Sequence, residues 1–118
     1  MNYKALFMQI KSDFNDMSTE EVIRRIDEII ENVVLAARLG AEVARMCVEV
    51  LKGIRQGFQL GFMPHNITKE KLKRVVSVLG DLAKLETTSK ENREFIDILV
   101  SAINALINNT KSIKSEYR

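Results

Sequence analysis

The residues Val22, Ile26, Ile29, Val33, Ala36, Gly40, Val43, Cys47, Val50 and Ile54, all apolar or small, follow one another at alternating steps of four and three. That is a heptad seam, and only a helix generates it, because a strand repeats its faces every second residue. A second stripe runs beside it through Ile23, Ile30, Ala37, Ala44, Leu51 and Phe58, and a third begins with Val34, Ala41 and Val48. A helix apolar nearly all round needs surroundings on every side. Ser18 with Glu21 three residues on forms a capping box and marks the start. The end is less sharp: Gly53, Gly57 and Gly61 recur every fourth residue, and Pro64 makes Met63 extended. Read as one element, 18–62 is a single long helix of roughly 65 Å at 1.5 Å per residue, about twice the width of a domain this size. The expectation is a continuous or gently bent helix through Leu51, with Gly40 or Gly53 as the places where it would otherwise break.

Upstream, Tyr3, Phe7, Ile10, Phe14 and Met17 step by four and three and predict a first helix over about 3–15. Downstream, Thr68 is placed to cap a helix over about 69–86 with Leu72, Val75, Val76, Leu79, Leu82 and Ala83 inward. Thr88 with Glu91 reads as a second capping box, opening a helix over about 89–108. Its inward face is Phe95, Ile96, Leu99, Ala102, Ile103, Leu106 and Ile107. The fold class is therefore all-α: a bundle of four to five helices organised around one long central helix, five if that helix breaks. A chain of 118 residues makes one domain, taken as 1–110, with a polar tail over 111–118.

Few function classes survive the residue inventory. The net charge of +2 points to no charged partner by itself. A single cysteine excludes an intramolecular disulfide and fits a reducing compartment, and no apolar run is long enough to span a bilayer. A cytoplasmic protein without membrane contact is the expectation. Cys47 sits on the seam as a small core residue, and His65 is the only histidine, in a loop. No catalytic constellation, metal cluster or cofactor motif is present in the pattern, so no catalytic residue, metal or cofactor is expected.

Three constellations carry the functional expectations. The first is the glycine run. Three helix-interior glycines cost roughly 3 kcal/mol relative to alanine. Either the helix frays into a loop by Gly57, or the glycines form a flat face for close approach by another helix. On the second reading Gly40, Gly53, Gly57, Phe58, Gly61 and Phe62 are the partner interface, and Gly57 accepts alanine but not leucine. The second is a polar ridge, Arg38, Glu42, Arg45, Glu49 and Lys52, which reads as a ladder of intrahelical pairs or as partner contacts. The third is charge asymmetry. Lys52, Arg55, Lys69, Lys71, Lys73 and Arg74 stand against Glu70 alone, whereas Asp13 to Glu31 is rich in acids. The basic set, with Phe58, Phe62 and His65 among it, forms a candidate nucleic-acid contact; the opposed ends also suit head-to-tail self-assembly.

Ile26-Asp27-Glu28 followed by Arg38 resembles the all-helical chorismate mutases over a short stretch. That resemblance implies a small helical dimer whose arginines and a lysine bind a dicarboxylate. The family's later lysine falls near Val48, an apolar position here, which removes the substrate clamp. The leading expectation is a non-enzymatic helical interaction or assembly module, a homo-oligomer or the small subunit of a larger complex, with itself or another helical protein as partner. The alternative is a DNA- or RNA-binding accessory protein using the basic tip.

Overall fold

A helix holding both apolar halves of 18–62 in one line would leave much of the seam beyond reach of the other helices. The computed structural model, which describes residues 3–14, 17–36 and 39–109, resolves this by folding the stretch in two. Helix α2 spans Thr19–Leu35 and α3 spans Ala41–Leu60, and the two lie against each other. The expected continuous helix through Leu51 is thus corrected: α2 ends at Leu35 and a separate helix starts at Ala41. There Ala36 leaves the helical region with ψ 91°, and the Gly40 carbonyl accepts from the Ala44 N–H to start α3. The seam residues at the break, Ala36, Gly40 and Val43, are among its small ones and none is buried, whereas Val22, Ile26, Ile29 and Val33 on one side and Cys47, Val50 and Ile54 on the other are all buried. Breaking a helix forfeits a few backbone hydrogen bonds but brings two apolar faces together, and burial of each large side chain is worth about 1.5–3 kcal/mol.

The remaining helices are α1, Tyr3–Lys11, continued by a 3-10 turn at Ser12–Phe14; α4, Lys69–Ala83; and α5, Lys90–Asn109. The fold among the described residues is an all-α bundle, with α3 touching α1, α2 and α4, and α5 touching α4, α2 and α1. The expected inward face of α5 is buried throughout; on α4, Val78 is buried where Val76 was expected to be, and Val76 is half-buried. No helix among the described residues is long and apolar enough to cross a membrane. The polar tail expected at 111–118 lies outside the described residues.

The caps follow the sequence at two ends and depart from it at a third. Ser18 Oγ accepts from the Glu21 N–H at 3.1 Å and Thr68 Oγ1 from the Lys71 N–H at 3.3 Å. Thr88, however, does not cap α5. Its side chain is buried and its hydroxyl donates to the Leu82 carbonyl at 2.7 Å, while Ser89 Oγ accepts from the Asn92 N–H. The Leu82 carbonyl accepts from both the Leu85 N–H, at 3.1 Å, and the Thr88 hydroxyl, and α4 ends at Ala83 rather than near 86.

The glycine run is helical through Leu60, so the frayed reading is set aside. Only Gly61 is left-handed, with φ +77°, closing α3 by an N–H to the Gly57 carbonyl at 2.7 Å. Close approach does occur at Gly57, but from within the chain. A Cβ there would stand 2.8 and 2.9 Å from Phe7 Cε2 and Cε1, and closer still to Cζ. A Cβ at Gly53 would overlap Ile67 Cδ1, with Pro64 Cγ at 3.5 Å. The Phe7 ring meets Phe58 edge-on at 5.2 Å between centroids; Phe58 meets Phe14 at 5.5 Å, and Phe14 meets Phe95 at 5.6 Å.

This contact reverses the expectation for alanine at position 57. The propensity gain of roughly 1 kcal/mol is outweighed by overpacking against a buried ring, typically about 1–3 kcal/mol, so Gly57→Ala lowers the thermal midpoint and Gly57→Leu lowers it further. In a Phe7→Leu background the alanine penalty shrinks, because the ring that it strikes is gone. Thermal or denaturant melts of the parent, the two Gly57 variants, Phe7→Leu and Phe7→Leu with Gly57→Ala check this; an alanine variant as stable as the parent would show that the ring moves aside freely.

Candidate interaction surface

Because Phe7 is drawn onto Gly57, α1 lies along the C-terminal half of α3 and leaves a furrow beside the contact. Lys4, Met8 and Lys11 are spaced four and three apart and share one face of α1 at the groove, beside the buried Phe7. Leu60 and Gly61 form the facing wall at the end of α3, Phe58 and Phe7 contribute to the lining, and Met17 and Thr19 close the end where α2 begins. The groove holds about 590 Å³. Two large apolar side chains at it are exposed, Met8 at 67% and Leu60 at 54%, and Phe62 at 42% stands beside Gly61. Among the described residues Lys4 and Lys11 are its charged lining, and no described carboxylate lines it. The Lys11 ammonium donates to Thr19 Oγ1 across the floor.

A second apolar exposure lies at the far end of α2. Val34 and Leu35 are 63% and 78% exposed, and Ala41 just beyond the turn is exposed too. The all-round apolar character of 18–62 is therefore not fully covered within the chain: Val34 and Ala41 of its third stripe face outward. Glu31 sits one turn before them and is also exposed.

Of the residues expected at a partner interface, Phe58 and Gly61 line the groove and Phe62 is exposed next to it. Gly53 and Gly57 are buried beneath Ile67 and Phe7, and Gly40 is exposed at the turn with nothing within 4 Å of an added Cβ. The sequence pattern missed Lys4, Met8, Lys11, Met17 and Leu60. Met8 and Leu60 lie off the heptad seams, and an apolar residue off the seam of its helix is the one signal that pointed to them.

The basic set is divided by the structure. Lys52 and Arg55 line a polar cleft of about 400 Å³ with Glu49, Gln56, Gln59 and Asn66. Arg55 Nη1 lies 2.7 Å from Asp27 Oδ1 on α2. The connection 61–68 folds back along α3, so that Asn66 Nδ2 donates to Glu49 Oε1 at 3.1 Å and Lys71 Nζ donates to the Asn66 carbonyl at 2.9 Å. Lys52, Lys73 and Arg74 are exposed and Lys69 is half-buried. Of the expected ridge, Glu42, Arg45, Glu49 and Lys52 are exposed on α3, and Arg38 lies outside the described residues.

On α2, Glu21 takes Arg24 and Arg25, and Glu28 takes the same two arginines. The hydrogen bond from Arg24 holds the Glu21 carboxyl below the usual carboxylate range. Arg25 also approaches Glu91 of α5 at 3.7 Å. Of the residues resembling the chorismate mutases, Ile26 is buried, Asp27 is engaged by Arg55, and Glu28 by Arg24 and Arg25. No group of three or more His, Cys, Asp and Glu side chains placed to hold a metal occurs among the described residues. No family model matches the chain, and no curated protein or solved structure matches it.

Cys47 is buried in the core, and burial pushes its thiol up to about 12. In the folded chain it is therefore expected to resist thiol reagents at pH 8, and to react at the ordinary rate once denaturant is added, as a colorimetric thiol assay would show. The unfolded chain ionises this thiol near pH 9 and the folded chain near 12, so its contribution to stability is complete below pH 9 and falls as pH rises toward 12. A thiol reacting equally fast in folded and unfolded protein would contradict its burial.

Proposed function

We propose that the chain is a non-enzymatic helical interaction module that assembles with a second copy or another helical protein through the groove between α1 and the end of α3. What supports this reading is the composition of the groove's described lining: exposed Met8 and Leu60 beside Phe7 and Phe58, with Lys4 and Lys11 and no carboxylate among the described residues. Apolar side chains of this size left to water at the margin of a concave surface are the usual sign of a contact site. Charge at the edge steers and orients a partner, while the apolar centre supplies most of the affinity.

Sedimentation across a concentration series from micromolar to millimolar tests the assembly. The mass is expected to rise above the 13.5 kDa of one chain. Replacing both Met8 and Leu60 with Glu returns it to the monomer, with the melting temperature nearly unchanged because both side chains are exposed. A parent protein that stays monomeric throughout, or a double variant that assembles equally well, would overturn it.

Nucleic-acid binding is the second reading, favoured by the exposure of Lys52 on α3 and of Lys73 and Arg74 on α4. With Arg55 engaged by Asp27 and Lys71 by Asn66, about four cations remain for phosphates, giving a slope of log affinity on log salt near −3 to −4 for duplex DNA. Lys73→Glu with Arg74→Glu is expected to weaken binding equally across sequences. Absence of any mobility shift with DNA or RNA at low salt excludes this reading.

A further inference from the structure

The molecule carries two exposed apolar surfaces of different shape, and α2 connects them. Thr19, the first residue of α2, lines the groove, and Leu35, its last, forms the opposite tip. A helix of 17 residues holds these ends roughly 25 Å apart, so the tip cannot reach the groove of its own chain. Glu31, Val34 and Leu35 are spaced at i, i+3 and i+4 and share one convex facet, in which Leu35 is 78% exposed. The groove is concave and apolar, with Lys4 and Lys11 at its edge.

Resting on the assembly reading above, we propose that the occupant of the groove is the α2 tip of a second copy. Val34 and Leu35 enter between Met8 and Leu60, and Glu31 faces Lys4 and Lys11. The charges suit this pairing: α2 carries Glu20, Glu21, Asp27, Glu28 and Glu31 against Arg24 and Arg25, whereas the described groove lining carries Lys4 and Lys11 and no carboxylate. The symmetric alternative, groove against groove, sets the lysines of one copy against those of the other, an arrangement that opposes association. Knob and groove lie on different surfaces of the same chain. Their contact is therefore head to tail and leaves a free groove at one end and a free tip at the other, so copies add in series. The contact is small by the standard of permanent interfaces, and assembly is expected to be weak and steep in concentration.

The test uses two full-length variants, one without the tip (Leu35→Glu) and one without the groove (Met8→Glu with Leu60→Glu), each checked for an unchanged helical melt. Serine at the same positions replaces glutamate should either variant fail to fold. The parent is expected to form species larger than a dimer. Each variant alone stays monomeric, with association weakened roughly tenfold or more. Mixed in equal amounts, the two variants form a one-to-one complex and go no further, since each supplies the surface that the other lacks. A charge exchange adds a second readout: Lys4→Glu weakens assembly and Glu31→Lys in the same chain restores it. A tip variant that assembles like the parent, or a mixture that remains monomeric while the parent assembles, overturns the head-to-tail contact and leaves the groove reading standing. A parent that never assembles overturns both.

Discussion

The seat of Phe7 on Gly57 is the contact on which the rest of the arrangement turns. Helix α1 is short, and nine residues have little helical stability of their own. It is held because its first buried ring enters a space that any side chain at position 57 would fill. From there the rings continue in series: Phe7 on Phe58, Phe58 on Phe14, Phe14 on Phe95, joining α1, α3, the 3-10 turn and α5. Aromatic pairs in edge-on geometry contribute about 0.5–1.5 kcal/mol each beyond their buried area. The same contact tilts Lys4, Met8 and Lys11 toward the end of α3, so the groove is a consequence of how the core closes at this end.

The second constraint is the fold-back of α2 on α3. Two apolar seams in line would need a partner along their whole length; folded in two, they cover each other. The ion pairs across and along α2 lie at the surface, half-buried to exposed, and surface pairs are worth about 0–1 kcal/mol. Arg55 with Asp27 and Arg25 with Glu91 are better understood as setting the register of α2 against α3 and α5 than as holding the bundle together. Folding back leaves Val34 and Leu35 exposed at the hairpin's end, covered by none of the described residues. The compact core and the two apolar exposures thus arise from the same event.

Charge is used more within the chain than its distribution along the sequence suggests. The cations clustered between Lys52 and Arg74 look like one basic tip when read in order. In space Arg55 turns to an acid on α2, Lys71 to a carbonyl in the connection, and Glu49 enters the same cleft as Lys52. The acids of α2 are met in part by Arg24 and Arg25 on the same helix. The described lining of the groove carries two lysines and no carboxylate, and at the far tip Glu31 is exposed beside Val34 and Leu35.

Helix positions, most of the inward faces and two of the caps were legible in the order of residues. The buried sets Val22 to Val33, Cys47 to Ile54 and Phe95 to Ile107 are properties of a 3.6-residue repeat, and Ser18 and Thr68 act on backbone N–H groups three residues away. Other features were not legible. A heptad continuing across Gly40 says that both halves are apolar on one side; it does not say whether that side meets another helix or its own other half. Glycines every fourth residue announce a close approach without naming Phe7 and Ile67 as what approaches. Thr88 and Ser89 are both able to cap, and the Leu82 carbonyl across the turn decided between them. The groove and the tip exist only because of which faces were used up elsewhere. Sequence by itself determined what depends on neighbours within one helical turn. Tertiary structure decided what depends on the surface lying opposite, because burial is a property of two elements and no single element's periodicity contains the other.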